Sequence, residues 1–205
     1  DNNFLKNIEQ KYNITNTLFI SFGARWIFSK KITERLNGKL LNFHGSRLPL
    51  DAGGGSFSWR IMKNDRKNIL LVHLVSEKID EGDIIFHKKN LFKRSDKLPS
   101  ELKKKYLIDL EFFYEEFISK LKKQHKFDML SQPDYLSTYY PRLDSKKDSW
   151  IDWTLPPFEL EKFINAFDDP FIGAKTKINN KVVNIKSVQL HGGETIPHKY
   201  MTGLI

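Results

Sequence analysis

Cysteine is absent from the 205 residues, which rules out disulfides and thiolate-ligated metals and fits a reducing, cytoplasmic location. No apolar run approaches the roughly 20 residues that a membrane span needs, and no secretory signal pattern opens the sequence. Internal repeats and low-complexity tracts are also missing. What is present is the composition of a globular protein, 40% hydrophobic and 29% charged. A chain of this length can form one sizeable domain with a small appendage. The net charge of +9 suits a polyanion. Lys far outnumbers Arg, however, and Asn and Ile are common, as in an AT-rich coding sequence. The lysines also sit near acids on predicted helices (Glu101 to Lys105, Glu115 to Lys126), as on solvated faces. Nucleic acid is therefore not the expected partner, and a phosphorylated small molecule suits the charge equally well.

The most informative stretch is Leu40 to Gly55, LLNFHGSRLPLDAGGG. Residues two apart on a strand share a face, so Asn42 and His44 project together where the strand runs out. Pro49 then breaks regular structure, and Gly53, Gly54 and Gly55 form a loop whose backbone can approach a ligand.

In chain order, residues 1–12 read as the end of an amphipathic helix and 17–22 as a short buried strand. Ser29 is placed to cap a helix through Leu36, and Lys39 to Phe43 forms the next strand. Strand, helix, strand with continuous apolar strands predicts a parallel sheet in an α/β domain, with ligands beyond the carboxyl ends of its strands. Ser56 to Lys63 reads as a helix. Ile69 to Val75 is a third strand, carrying His73 as a core or strand-face histidine. The loop Ser76 to Gly82 follows at the same sheet end as Asn42 and His44. Asp83 to His87 is a short edge strand with His87 exposed. Residues 100–126 form the longest helix, with Leu102, Leu107, Leu110, Phe113, Phe117 and Leu121 as its core stripe. Leu130 to Asp148 is a loop-like linker that can reach substrate. A helix with Phe158, Leu160, Phe163, Ile164 and Phe167 on its apolar side follows. Lys175 to Leu190 is a β-hairpin turning at Asn179-Asn180, with room for two more strands after it.

If the sheet is parallel, Asn42, His44 and Asp80 converge. A carboxylate beside an imidazole fixes its tautomer and raises its basicity. The imidazole can then accept a proton from an incoming nucleophile while the amide donates to an oxygen that becomes negative. No Ser or Cys occupies an evident nucleophile position, so the nucleophile belongs to the substrate. This is the chemistry of acyl-type transfer to an amine, a hydroxyl or water. An Asn-x-His pair with a lone Asp is a weak metal set, and no metal is implied.

The pieces SFGARWIF, GKLLNFHGSRLP, GGG and HLVSEKIDEGDII, in this order and spacing between Leu18 and Asn90, resemble the catalytic core of the 10-formyltetrahydrofolate-dependent formyltransferases. The resemblance implies a Rossmann-like core with 10-formyltetrahydrofolate as co-substrate and with Asn42, His44 and Asp80 as catalytic residues. It implies a pterin pocket walled by Arg25, Trp26, Ile27 and Phe28 and by Val75, Ser76, Glu77, Lys78 and Ile79. IDW at Ile151 to Trp153 and AFDDPFIGAKT resemble the second domain of the tRNA and sugar formyltransferases. The implied division is a core at 1–130, a linker at 131–148 and a small, mainly β domain at 149–205. The family's first strands are expected before Asp1 and further β-strands after Ile205. The GGGSFSW run and the YYPRL segment look most like the enzymes acting on nucleotide-linked amino sugars. Arg47, Gly53, Gly54, Gly55 and Arg142 then become contacts for a sugar or diphosphate, with a dTDP-amino sugar for cell-surface polysaccharide (O-antigen) as acceptor. Methionyl-tRNA formylation, formyltetrahydrofolate hydrolysis and a non-catalytic nucleotide-sugar-binding role stay open as alternatives. A homodimer is suggested by analogy alone, and no membrane partner is implied.

Overall fold

The computed structural model describes residues 2–24, 26–54 and 56–190. The first helix, α1 (Asn2–Lys11), and α2 (Lys30–Arg35) flank strand β1 (Phe19–Phe22). Strand β2 (Leu40–His44) leads through the two-residue β3 (Ala52–Gly53) into α3 (Ser56–Met62). Two long strands, β4 (Lys67–Leu74) and β5 (Ile84–Leu91), precede the 24-residue α4 (Pro99–Lys122). The rest comprises β6 (Tyr139–Tyr140), α5 (Pro157–Ala166) and the hairpin β7 (Ala174–Ile178)–β8 (Lys181–Ile185). The hairpin turns at Asn179 and Asn180, both with positive φ, which asparagine tolerates. No helix among the described residues is long and apolar enough to cross a membrane. The two further strands foreseen after Leu190 lie outside the described residues.

The sheet order is β1-β2-β4-β5. β1 and β2 are parallel, as expected of an α/β core, but β4 runs antiparallel to β2 and β5 antiparallel to β4. The strand predicted over Ile69 to Val75 therefore points the other way. Its following loop leaves from the end of the sheet where β2 begins, not where it ends. Periodicity could not show this, because a buried apolar strand reads the same in either direction.

Alternation along β2 sorts its side chains. Leu41 and Phe43 face α4 and join Leu70, Val72, Phe113 and Phe117 in one buried cluster. Leu40, Asn42 and His44 occupy the other face, with Leu40 packed on Leu5, Ile32 and Leu36. Glu101 reaches back to the backbone N–H groups of Lys97 and Leu98 and so closes the start of α4. Phe113 and Phe117 are fully buried on Phe43, whereas Leu107, assigned to the same stripe by sequence, is 50% exposed. Ser29 does stand at the start of α2, but its hydroxyl makes no capping bond. A further cluster joins Ile61 and Leu102 to Ile164, Ala166, Phe167 and Ala174, so α5 and the hairpin share apolar core with α3 and α4.

Phe113→Ala is expected to cost about 3–5 kcal/mol, since it empties the centre of the sheet–α4 cluster. Urea denaturation of the two proteins measures it. Leu107→Ala, on the exposed side of the helix, should change stability by well under about 1 kcal/mol.

Candidate active site

Asn42 and His73 are register partners on adjacent antiparallel strands and so point to the same face. The Asn42 amide nitrogen donates to His73 Nε2 at 3.1 Å, while His73 Nδ1 donates to the Leu74 carbonyl at 2.8 Å. A carbonyl only accepts, so the proton of His73 sits on Nδ1, and Nε2 accepts from Asn42. This fixes which end of the Asn42 amide carries N–H and leaves its second hydrogen without a partner among the described residues. A register irregularity in the β4–β5 ladder falls between Val72 and His73, beside the site.

His44 is locked in the same way. Ser46 Oγ lies 2.5 Å from His44 Nε2 and donates its only hydrogen to the Asp51 carbonyl at 2.7 Å. His44 Nε2 must therefore carry the proton and donate to Ser46. His44 Nδ1 is the basic nitrogen, and it faces Asp80 Oδ1 at 3.7 Å. The same oxygen lies 3.8 Å from His73 Nε2, and the two imidazole rings are 5.9 Å apart. Asn42, His44 and Asp80 thus converge as the sequence suggested, although by a different route. Instead of projecting from a parallel strand end, Asp80 is brought back over the sheet by the loop joining β4 to β5.

That loop closes on backbone contacts. Asp80 takes positive φ, and a Cβ at Gly82 would lie 1.8 Å from the Leu74 carbonyl oxygen. Gln132 donates to the carbonyls of Asp80 at 2.8 Å and Gly82 at 2.7 Å. The Gly53 N–H donates to Asp80 Oδ2 at 3.3 Å, and Gly53 itself has positive φ and no room for a Cβ beneath Tyr140. His73, Ser46 and Gln132 were missed as site residues. His73 is buried, as a core histidine should be, and it also faces Asp80. The seven-residue spacing of His73 and Asp80 across a strand–loop junction was the one available signal. Gln132 gives none, since its role exists only after folding.

Burial lowers the pKa of His44, although Asp80 pulls it upward. Burial and the neighbouring His44 push His73 down to about 4. Both rings are therefore neutral at pH 7. Nearby, Arg47 donates to Asp51 at 2.8 Å and also to Asp65, while Arg60 donates to Asp51 at 3.0 Å. Burial opposes ionisation of Asp51, but Arg47, Arg60 and Lys63 outweigh it and hold its carboxyl below the ordinary value. Arg47, foreseen as a substrate contact, is thus spent on two carboxylates and braces the loop that carries Ser46.

Gly54 lies against the Arg142 side chain, which is exposed. Trp26 and Ile27 are 68% and 66% exposed, and Phe28 and Val75 pack on one apolar cluster. Ile79 is half exposed. Ser76 donates to the Lys78 carbonyl, while Glu77 and Lys78 form exposed ion pairs with Lys30 and Glu81. Arg25 and Gly55 lie outside the described residues.

The chain matches the formyl transferase family over residues 4–107 and the formyl transferase C-terminal domain over residues 145–203, and it therefore belongs to that family. Methionyl-tRNA formyltransferase of Coprothermobacter proteolyticus is 27% identical over 179 residues, covering 86% of this chain and 56% of that protein. The chain spans about half the length of the curated relatives it matches. The N-formyltransferase from Helicobacter canadensis, solved with folinic acid and dTDP-3-aminofucose, has a similar fold. Its TM-score is 0.64 at 22% identity, with 80% of this chain and 59% of that chain covered. A 4-N formyltransferase from Francisella tularensis gives a TM-score of 0.65 at 17% identity, with 92% and 84% covered.

Two outcomes follow. An unfolded His73 takes up its proton near pH 6.5 and the folded one only near 4, so between these values the unfolded chain holds more protons and stability falls with acid. Unfolding free energy should drop by roughly 2 kcal/mol from pH 7 to pH 5 on this account. His73→Gln should remove most of that drop in urea melts. Gly82→Ala should displace the loop and abolish the Asp80 contacts; a variant crystal structure with Asp80 unmoved would refute the close-approach argument.

Proposed function

We propose that this chain transfers a formyl group from 10-formyltetrahydrofolate to the amine of a nucleotide-linked amino sugar, with a dTDP-sugar destined for surface polysaccharide as the acceptor. The observation that carries the reading is a base nitrogen and an amide N–H, each fixed by a buried partner, with a carboxylate held by the Gly53 N–H beside them, in a chain of the formyl transferase family. The co-substrate supplies the one-carbon group. The residues present suit it: the exposed apolar side chains of Trp26, Ile27 and Ile79 offer a surface for a flat ring, and Asn42 holds an unused N–H.

His44 Nδ1 takes a proton from the amine as that amine bonds to the formyl carbon. Asp80 stabilises the imidazolium so formed. Asn42, with the newly protonated His44, holds the oxygen that gains negative charge. His44 then returns its proton to the departing folate nitrogen as the old carbon–nitrogen bond breaks. Ser46 keeps Nε2 protonated throughout, so that Nδ1 alone shuttles. In this proposal Gly53, Gly54 and Arg142 serve the acceptor, and Trp26 to Phe28 with Val75 to Ile79 serve the folate; the roles proposed for Arg25 and Gly55 fall outside the described residues. The division into 1–130, 131–148 and 149–205 belongs to the same proposal, as does the cytoplasmic location.

The second reading is methionyl-tRNA formylation. It is favoured by the names of the curated relatives and by the +9 charge. Formyl transfer by the purified chain, with dTDP-amino sugar and methionyl-tRNA offered separately, distinguishes the two. Transfer to tRNA alone would overturn the sugar reading.

His44→Ala should lower kcat by about 10²–10⁴-fold while a stable formylfolate analogue still binds. Equal loss of binding and turnover would make His44 structural. Because burial lowers the pKa of His44, the acid limb of the kcat/KM profile should lie below pH 6.5, the ordinary histidine value.

A further inference from the structure

A cleft of about 790 Å³ opens between the start of β4, the segment after β5, and α5. It falls within the roughly 300–1,000 Å³ typical of small-molecule sites. It is separate from the catalytic centre: Lys67 on its rim is six residues before His73 on the same strand, about 20 Å away. Arg66, Lys67, Arg94 and Lys97 line it together with Glu161 and Phe158. Lys97 is paired with Glu161 at 2.7 Å. Asp65, the other carboxylate on the lining, is taken by Arg47 from outside the cleft.

Arg66, Lys67 and Arg94 are left without a carboxylate partner among the described residues. Arg66 spends one terminal nitrogen on the Asp96 carbonyl, and its Nε is buried with no acceptor. Phe158, on the helix face that sequence assigned to the core, is instead 49% exposed into this cleft, with the Lys162 ammonium 4.7 Å from its ring centre.

We propose that this cleft is a second ligand site, which takes a nucleoside phosphate. Arg94 supplies a fork-shaped donor for the phosphate oxygens, and Arg66 and Lys67 add charge. Phe158 offers an aromatic face to the base. Nothing in the assignment depends on formyl transfer at His44. A ligand here can be bound while the catalytic centre is empty or filled.

The test is titration of the ¹⁵N-labelled chain with dTDP, and separately with inorganic pyrophosphate, followed by amide resonances. Saturable shifts are expected at residues 64–67, 91–97 and 158–165. They should persist in His44→Ala and when a formylfolate analogue is present. Arg94→Glu, an exposed substitution that should leave folding intact, is expected to weaken the dTDP titration at these residues by about tenfold or more. Shifts at these residues with dTDP and none with pyrophosphate would still support the site, with the base face as its anchor. Shifts confined to residues around His44 and Gly53, or an Arg94→Glu titration equal to wild type, would overturn it. So would the absence of any shift here at millimolar dTDP in a well-dispersed spectrum.

Discussion

The loop after β4 turns back so tightly that residue 82 has no space for a side chain against the Leu74 carbonyl. This approach decides where Asp80 stands, and Asp80 is the group that both imidazoles face. Two further contacts keep the loop there: the Gln132 amide on two of its carbonyls and the Gly53 N–H on the carboxylate. Each comes from a different part of the chain. The site is therefore a property of three segments folding together, and glycine is needed where the loop returns onto Leu74 and where residue 53 meets the Tyr140 carbonyl.

Both histidines owe their chemistry to neighbours that can only accept or have only one hydrogen to give. A carbonyl at Leu74 sets the tautomer of His73, and the carbonyl of Asp51, acting through Ser46, sets that of His44. Burial keeps both rings neutral, which is the state a proton acceptor needs. The ion pairs of Asp51 with Arg47 and Arg60 hold the Ser46 loop in place. Removing a charge from such a partly buried network leaves its partner uncompensated, so the geometry of the site and stability are coupled at this end of the sheet.

Much of the fold was legible from pattern. The amphipathic α4, the strand–helix–strand opening, and the hairpin at Asn179-Asn180 all follow from local periodicity and turn chemistry. Where the reading failed, the reason was non-local. Apolar strands such as β4 look alike in both directions, so antiparallel pairing was invisible. Phe158 and Leu107 fit apolar stripes, but the helix faces they occupy meet solvent because neighbouring elements do not cover them. The pairing of Arg47 with Asp65 joins residues 18 positions apart and has no local pattern.

The sequence by itself determined the residue types at the site. An amide and an imidazole two apart on a strand must share a face, and an Asp-x-Gly loop can make a tight return. Tertiary structure alone decided which of those groups meet, which nitrogen of each histidine is basic, and which charges are consumed by pairing. Those outcomes depend on contacts between residues 31, 52 and 82 positions apart in the chain, as in Asn42–His73, Gln132–Asp80 and Trp59–Pro141. No local pattern encodes them, because hydrogen-bond partners are chosen by the packing of whole elements.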